Sequence, residues 1–410
     1  MAKAAIQSGG TAKWTVMVYI AGDNNLDGAA LGDIREMAQA GSTKDVNILV
    51  QLDREADRKT RRFLITKGGG YDRDCIETFG ETNSGDPKVL EDFLAWSVER
   101  YPAARYFLIL WNHGGGWWED EKSRSVASKS VADNRNRSIS RGALFRHKPA
   151  ASGQTVVPGP ANNRSICYDD TSAGDALDNK ELKDVLARAC SVIGKKIDIL
   201  GMDACFMTML EVAWQLRNSV EIIIGSEIEE PCDGWPYAEI LNFLTAYPRR
   251  KTHIIAKEVV KQYIASYEDS GDAVTQSAIN AAATTEIVQA LTPLVQDLLS
   301  DLPGNRNLIR SAWKQSPIFF GDNYIDLYAF ARRLSSKNRG AIREKANALI
   351  AALRTGKAKA ILCHGKLGAN VSGTKGLSIY FPADAMNLAY RRLDFANDCP
   401  WAIFLERYLS

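Results

Sequence analysis

Two short segments of the chain place reactive side chains directly after apolar runs of strand length. Tyr106 to Trp111 is followed by Asn112-His113-Gly114-Gly115-Gly116, and Ile197 to Met202 is followed by Asp203-Ala204-Cys205. If the two runs are neighbouring parallel strands, their carboxyl ends meet at one edge of a sheet. His113 and Cys205, which are 92 positions apart (205 minus 113), then lie side by side.

A cysteine beside a histidine is the arrangement that nucleophilic catalysis by a thiol requires. A free thiol is only a few per cent ionised at neutral pH, and an adjacent imidazole raises the thiolate fraction or removes the proton during attack. The glycines after His113 let backbone N–H groups approach a developing oxyanion, and those of Gly114 and Cys205 are the candidate donors. Asp203 lies two residues before the thiol, about 7 Å along a strand and on the same face, so it is suited to hold a side chain next to the bond being cleaved.

Each of these residues also has an ordinary structural explanation. A lone cysteine in an apolar run most often packs in the core, and a histidine beside glycine is often a capping or turn residue. Asp203 is harder to explain in this way, because a carboxylate is almost never fully buried without a partner. The pairing of two such strand ends favours catalysis more than either segment does alone.

The segments around these strand ends alternate between strand and helix patterns. Nearly continuous apolar runs predict strands at 14–21, 46–52, 106–111, 197–202 and 220–225. Helix patterns lie between them at 26–40, 86–100, 178–190 and 206–218, and Asp178 with Glu181 resembles a capping box. The β-α-β order predicts an α/β fold with a mostly parallel central sheet and helices on both faces.

Two further parts of the chain depart from this alternation. Residues 119–163 are polar and rich in Ser, Arg, Asn, Gly and Pro, which predicts a flexible surface insert within a core of residues 12–240. Residues 241–410 are predicted to be a mainly helical subdomain, with helix patterns at 252–268, 284–302, 325–334 and 341–354. A last apolar run at 376–381 ends at Pro382 and is expected to rejoin the central sheet.

The composition of the chain excludes several classes of partner. Its 51 Lys and Arg residues nearly balance 49 Asp and Glu residues, which gives no broad electrostatic case for nucleic acid or an anionic membrane. No run approaches the roughly 18 apolar residues that span a bilayer, and residues 1–13 lack the apolar core of a secretory signal. The sequence as written predicts a cytoplasmic protein, although a secreted protein whose leader was removed would look the same. Seven cysteines without CxxC pairs favour free thiols over a disulfide framework or a zinc site.

The chain resembles the clostripain family of cysteine peptidases, which is related by fold to caspases, gingipains and legumain. Six stretches carry the resemblance in the family's order, namely 19–26 (YIAGDNNL), 111–117 (WNHGGGW), 167–171 (CYDDT), 203–205 (DAC), 225–237 (GSEIEEPCDGWPY) and 376–382 (GLSIYFP). The resemblance implies a caspase-like α/β/α sandwich with a helical C-terminal elaboration. It also implies an endopeptidase whose catalytic dyad is His113 and Cys205.

The resemblance further implies that Asp203 lies in the S1 pocket and selects peptide or protein substrates with Arg, or Lys, at P1. Physical chemistry agrees, since a buried carboxylate that accepts two guanidinium N–H bonds favours Arg over Lys. Glu227, Glu229 and Asp233 follow the next strand and could line the same pocket, but a solvated loop face is the expectation for each of them.

Members of this family are typically zymogens that cut themselves after a basic residue between the His and Cys segments, and the resemblance implies the same here. Candidate positions in the insert are Arg124, Lys129, Arg137 and Arg141, and the alternative is an ordinary solvated linker. Arg141 is attractive because a small residue follows it. The protein is expected to be a monomer, or two chains that stay together after cleavage.

Two other functions and one cofactor stay open at this point. The same acyl enzyme would support ligation or transpeptidation if an amine captured it, and a non-catalytic homologue that binds peptides would keep the cleft. No metal ligand is assigned, because residues 23–28 (DNNLDG) match only the first half of a calcium loop and Ile34 stands where a bidentate Glu belongs. A cap on the following helix is the more ordinary role for this segment. Some clostripain relatives need calcium and others do not, which leaves calcium open.

Overall fold

The strands of the fold follow the apolar runs of the sequence. The computed structural model describes residues 11–118, 166–338, 340–357 and 359–410, so the insert at 119–163 lies outside the described residues. All five predicted strands form. In chain order the strands are β1 (Ala12–Gly22), β2 (Val46–Arg54), β3 (Arg61–Leu64), β4 (Cys75–Thr78), β5 (Ala103–Trp111), β6 (Ile166–Asp169), β7 (Asp175–Leu177), β8 (Ile197–Asp203), β9 (Val220–Gly225), β10 (Val274–Asn280), β11 (Ile318–Phe319), β12 (Tyr324–Asp326), β13 (Ile361–Leu367) and β14 (Ser378–Tyr380).

The central sheet has nine strands within the described part of the chain, in the order β13-β10-β9-β8-β5-β1-β2-β3-β4. Its inner strands β9, β8, β5, β1 and β2 are all parallel. At the two margins β10, β13, β3 and β4 are antiparallel to their neighbours. This arrangement confirms the predicted mostly parallel sheet and places β5 between β1 and β8, so that the loops after all three strands open at one edge.

Helices cover both faces of the sheet, which confirms the α/β/α sandwich. One face carries α1 (Asp27–Ala40), α5 (Tyr237–Ala246) and α6 (Thr252–Ser266), and the other carries α2 (Pro87–Arg100), α3 (Asn179–Ile193) and α4 (Leu210–Leu216). The remaining helices are α7 (Thr284–Ser300), α8 (Leu302–Lys314), α9 (Leu327–Lys337), α10 (Ala341–Ala352), a 3-10 turn (Leu388–Arg392), α11 (Asp394–Asp398) and α12 (Trp401–Leu409).

Helix ends form where the sequence provides capping groups. The predicted capping box is present at α3, where the Asp178 side chain accepts from the Glu181 N–H and the Glu181 side chain accepts from the Asp178 N–H. Gly194 ends the same helix in the left-handed conformation that favours glycine. Helix α4 begins at Leu210 rather than at residue 206, because the chain first makes a turn after β8.

The expectation that residues 376–381 rejoin the central sheet is wrong. Strand β14 pairs with β12 in a separate three-stranded sheet, β11-β12-β14. Its short run packs beside the segment after β8, where the N–H of Ser378 donates to the carbonyl of Thr208 at 3.0 Å. The margin of the central sheet is instead filled by β10 and β13, which both come from the region after residue 241.

Two other expectations concern the membrane and the cysteines. No helix in the described ranges is long and apolar enough to cross a bilayer. All seven cysteines lie in described positions and none is in a disulfide, as the sequence predicts.

Candidate functional site

The register between β5 and β8 brings the two predicted strand ends together. The strands pair in parallel from Phe107 opposite Ile199 to Trp111 opposite Asp203, an offset of 92 positions. His113 and Cys205 are separated by the same 92 positions and each follows its strand by two residues. The N–H of Asn112 donates to the Asp203 carbonyl at 3.2 Å, which extends the pairing toward the two reactive residues.

Gly114 packs against the backbone of the cysteine. A Cβ atom at this position would lie 2.4 Å from the Cys205 carbonyl oxygen and 3.0 Å from its nitrogen. These are distances that real Cβ atoms do not tolerate without movement of the backbone. The loop after β5 therefore approaches the turn after β8 as closely as only glycine allows.

We expect Gly114→Ala to destabilise the fold by about 1–3 kcal/mol, since the new methyl group overlaps main-chain atoms that cannot rotate away. Activity should fall with stability because the same overlap displaces Cys205. Denaturant unfolding and peptide hydrolysis measure the two effects. Gly32→Ala in α1 is the matched control, since its Cβ meets nothing within 4 Å and should leave stability unchanged or raise it by up to about 1 kcal/mol. Equal stability of the two variants would contradict the close approach.

The turn that carries Cys205 has an unusual backbone. Phe206, the next residue, has φ of 63°, a conformation that non-glycine residues rarely adopt. Its N–H donates to the Ile228 carbonyl at 3.1 Å, and its ring packs edge-on to Phe320 at 4.9 Å between centroids. Strand β8 ends at Asp203, so the strand alternation that would place Asp203 and Cys205 on one face does not continue to the cysteine.

The thiol itself is fully buried. The N–H of Glu230 donates to Cys205 Sγ at 3.3 Å. Burial raises the pKa of the Cys205 thiol well above its usual value, the Glu230 N–H opposes this rise, and the nearby carboxylates of Glu229, Glu230 and Asp203 add to it. Burial therefore favours the neutral form of the thiol.

His113 is held by a residue that sequence reasoning did not identify. Its Nε2 lies 2.8 Å from Oδ1 of Asn25, which belongs to the loop after β1. An amide oxygen accepts, so this contact assigns the ring proton to Nε2 and makes Nδ1 the basic nitrogen of the neutral ring. Burial lowers the pKa of His113 to about 4. The sequence shows only that the Asp-Asn-Asn loop follows a predicted strand, and the structure adds that β1 adjoins β5, so that this loop and the histidine reach the same edge.

Two further contacts fix the loop that carries the histidine. The Asn112 side chain donates to the Ala21 carbonyl at 2.5 Å and accepts from the Tyr168 N–H at 2.7 Å. The hydroxyl of Tyr324 in β12 donates to the Gly115 carbonyl at 2.6 Å. The three-stranded sheet β11-β12-β14 therefore supports the loop that carries His113, and Asn112 joins this loop to β1 and β6.

Asp203 lies at the end of β8 beneath the loop that follows β9. Only 1% of it is exposed, and its Oδ2 accepts from the Tyr237 hydroxyl at 2.9 Å and from the Trp235 N–H at 3.3 Å. The carboxyl group of Glu230 hydrogen-bonds to it. Burial raises the pKa of Asp203 to about 6, and burial followed by the charge of Asp203 raises the pKa of Glu230 well above its usual value. The two carboxyl groups are hydrogen-bonded neighbours, and the charge of one opposes ionisation of the other.

The acids after β9 divide into two groups. Glu229 and Asp233 are exposed, as expected for a solvated loop. The same expectation is wrong for Glu227, which is fully buried and whose Oε2 accepts from the Gly376 N–H at 2.8 Å. Glu230, which the sequence analysis did not single out, is also buried and links Cys205 to Asp203. Arg124, Lys129, Arg137 and Arg141 lie outside the described residues.

Comparison with known proteins places this site in context. The family model described as the clostripain family matches residues 18–138 and 146–408. A clostripain from Hathewaya histolytica is 30% identical over 265 residues, which are 57% of this chain and 42% of that protein. The match therefore spans less than half the length of that relative.

Two solved structures are similar in fold over nearly the whole chain. A secreted C11 cysteine protease from Bacteroides thetaiotaomicron, in complex with an irreversible peptide inhibitor, aligns with a TM-score of 0.67 at 20% identity, covering 95% of this chain and 99% of its own. An inactive zymogen C11 protease from Parabacteroides distasonis aligns with a TM-score of 0.68 at 21% identity, covering 96% and 99%. At these identities the likeness supports the fold.

Proposed function

This chain belongs to the clostripain family, and on that premise we propose that it is a cysteine endopeptidase that cleaves peptide bonds after Arg, and less efficiently after Lys. One observation carries the proposal. The offset between paired residues of β5 and β8 equals the separation of His113 and Cys205, so the two residues leave adjacent strands at the same level. A thiol and an imidazole that meet at the carboxyl edge of the sheet are the nucleophile and the base that acyl transfer requires.

The protonation states define how the dyad would work. Burial favours the neutral form of both groups, because it raises the pKa of Cys205 and lowers that of His113. His113 therefore acts as a general base, and its Nδ1 takes the thiol proton as Sγ bonds to the substrate carbonyl carbon. The N–H groups of Gly114 and Cys205 are proposed to hold the oxyanion. Asn25 keeps the ring oriented through Nε2 and is a positioning residue.

The second half of the reaction returns both groups to their starting state. The imidazolium gives its proton to the leaving amine as the C–N bond breaks, which leaves a thioester on Cys205. Water then attacks the thioester, His113 takes one proton from that water, and the same proton returns to Sγ as the acid product leaves.

For the S1 pocket we propose Asp203 as the acid that binds the P1 side chain. It lies at the end of the strand that leads to the nucleophile, and Glu230 contacts both residues, through its N–H to Cys205 and its carboxyl group to Asp203. We propose that the pair shares one proton and carries a single negative charge, which matches one guanidinium or ammonium group. A neutral P1 side chain would leave that charge buried without compensation.

The described conformation is closed to substrate, which supports production as a zymogen. Cys205 is fully buried and Asp203 is 1% exposed, so a peptide cannot reach either without a change of conformation. Cleavage after a basic residue between Lys122 and Arg146 is the proposed trigger. The enzyme's own specificity for Arg or Lys would allow it to make this cut.

An Arg-directed covalent thiol probe tests the proposed function. We expect the wild-type protein to be labelled at one residue, which peptide mapping identifies as Cys205, and labelling to follow appearance of the two-chain form. Cys205→Ala should not be labelled, and a probe with Ala at P1 should react much more slowly with the wild type. Absence of labelling in the two-chain wild type would favour a homologue that does not catalyse the reaction.

A further inference from the structure

A surface groove of about 590 Å³ lies between α8, α9 and the loop that precedes β14. Four of its lining residues are cationic, namely Lys314, Arg332, Arg333 and Lys375, and no acidic residue of the described ranges lines it. The whole chain has nearly equal numbers of basic and acidic residues, so composition does not explain this local excess. A groove of this size and charge fits an anionic ligand.

The four cations lack carboxylate partners among the described residues. All four are exposed, and none of them forms an ion pair within the part of the chain that the structure describes. Arg333 donates from Nε to the Gln315 carbonyl at 3.3 Å, and the Lys375 ammonium lies 5.8 Å from the centre of the Tyr328 ring. Neither contact neutralises the charge, which leaves the cations able to bind an external anion.

Two of the four cations, Arg332 and Lys375, lie where local structure does not call for a positive charge. Lys314 lies in the last turn of α8, where a cation complements the helix dipole. Arg332 instead lies in the middle of α9, and Lys375 follows the buried Thr374 in the loop. Burial and then the charge of Lys375 lower the pKa of Lys366 on β13, so the positive potential extends into the protein. A bound anion would offset the repulsion among these cations.

A depression beside the candidate active site shares a residue with the groove. Ile228, Glu229 and Glu230 line this depression, and the Glu230 N–H donates to Cys205 Sγ at 3.3 Å. Asn370, in the loop before β14, lines both the depression and the groove. A polypeptide that passes the Glu230 loop therefore reaches the groove across Asn370.

We propose that the groove binds an acidic segment of the polypeptide that the enzyme cleaves, an inference that rests on the proposed function. Carboxylates of that segment accept hydrogen bonds from the guanidinium groups of Arg332 and Arg333, and Lys314 and Lys375 act as point charges. The groove is thus a contact region outside the S1 pocket. It selects substrates that carry acidic residues away from the cleaved bond.

The groove suits an acidic polypeptide better than a nucleic acid. Tyr328 is the one aromatic side chain among the described residues that line it, whereas proteins that bind single strands stack successive bases on aromatic rings. The net charge of +2 on the chain gives no broad attraction for a phosphate backbone. The position next to the Glu230 loop also favours the polypeptide that enters the active site.

Binding is measured by fluorescence anisotropy on full-length Cys205→Ala, which cannot cleave the probe. A labelled octapeptide of alternating Glu and Asp should bind about tenfold more tightly than one of alternating Gln and Asn, and added salt should weaken its binding. Arg332→Glu/Lys375→Glu, made in the same chain, should weaken binding of the acidic peptide by about fivefold or more, because it reverses two of the four charges. Arg332→Gln/Lys375→Gln should have a smaller effect in the same direction.

Lys44→Glu/Arg249→Glu is the matched control. Both residues are exposed and lie outside the groove, Lys44 just before β2 and Arg249 between α5 and α6. The control changes the net charge by the same amount as Arg332→Glu/Lys375→Glu. It should change the affinity for the acidic peptide by less than about twofold.

The two-chain wild type tests whether the groove contributes to cleavage. Peptides with Arg at P1 are extended by a run of Glu or a run of Gln, on the amino side in one pair and on the carboxyl side in the other. In one of the two pairs, Glu should lower KM by about fivefold relative to Gln and leave kcat unchanged. Arg332→Glu/Lys375→Glu should remove this difference and still cleave the Gln peptides at the wild-type rate.

The outcomes separate the groove from the proposed function. Equal affinity of Cys205→Ala for the acidic and neutral octapeptides, or an equal loss in the control variant, would overturn the proposal. Tighter binding of a single-stranded oligonucleotide of equal charge would overturn the assignment to a polypeptide. Tight, groove-dependent binding of the acidic octapeptide without cleavage of any Arg substrate would contradict the proposed function and support the groove as a site for acidic polypeptides.

Discussion

Replacing Cys205 by Ala should abolish peptide hydrolysis and leave the protein as one full-length chain. The expected loss in kcat is on the order of 10⁴–10⁶, because the nucleophile and its base act as a unit. His113→Ala should lose a similar factor, and the double variant should lose no more than either single one. Intact mass should show two fragments for the wild type and one chain for Cys205→Ala.

The control for this experiment is another buried thiol. Cys399 is 2% exposed, its thiol pKa is raised to about 11 mainly by burial, and it lies between α11 and α12 near the C-terminus. Cys399→Ala should keep its activity and its two fragments. Adding processed wild type to Cys205→Ala separates cleavage in trans from cleavage within one chain. If purified Cys205→Ala were already cut, another protease would be responsible, and activity of His113→Ala within tenfold of wild type would contradict the dyad.

The meeting of the His113 and Cys205 segments at one edge of the sheet was predictable because it depends on features that are local in sequence. Each reactive residue follows a strand that is apolar enough to be buried on both faces, and such strands are parallel in an α/β fold. In a parallel sheet the carboxyl ends meet at one edge, so the two segments could be placed together before their register was known. The structure adds the register, which the sequence could not provide. Paired residues of β5 and β8 are 92 positions apart, as His113 and Cys205 are, so the two residues lie equally far beyond the ends of their strands.

The strands at one margin of the sheet were not predictable from hydrophobicity. Strand β10 contains Thr275, Gln276 and Ser277, which are all fully buried. Burial of these polar groups is tolerated because they have partners, such as the Ser226 hydroxyl 2.9 Å from that of Thr275. A polar run of this kind looks like a loop in the sequence, whereas the apolar run at 376–381 looks like a core strand and belongs to the small sheet.

The residues that support the site could not be identified from the sequence, because their roles arise only from tertiary contacts. Asn25 and Glu230 act through single contacts, one to a ring nitrogen and one to a sulfur, and neither contact leaves a pattern of spacing. Hydrophobic periodicity in a sequence predicts which residues of a strand or helix are buried. It does not predict which polar loops meet at the edge of a sheet.

Asp203→Asn should remove the preference for a cationic P1 residue. The amide keeps the shape of the side chain and an oxygen that accepts from Tyr237 and Trp235, so the fold should tolerate the change. With the charge gone, kcat/KM for Arg substrates should fall by about 30-fold to 1000-fold, equivalent to 2–4 kcal/mol for a buried charge pair. Substrates with Ala at P1 should be unaffected. Fluorogenic peptides that differ only at P1 measure this difference.

The same change should alter how selectivity depends on pH. Burial raises the pKa of Asp203 to about 6, so its carboxyl group is neutral below that pH and charged above it. The wild type's preference for Arg over Ala at P1 should therefore grow between about pH 5 and pH 8, whereas that of Asp203→Asn should stay flat. Glu229→Gln, which removes an exposed acid of the neighbouring loop, should keep the wild-type profile. A carboxylate that binds the P1 side chain must distinguish a cation from a methyl group. Equal turnover of Arg and Ala substrates by the wild type would therefore show that Asp203 does not determine specificity.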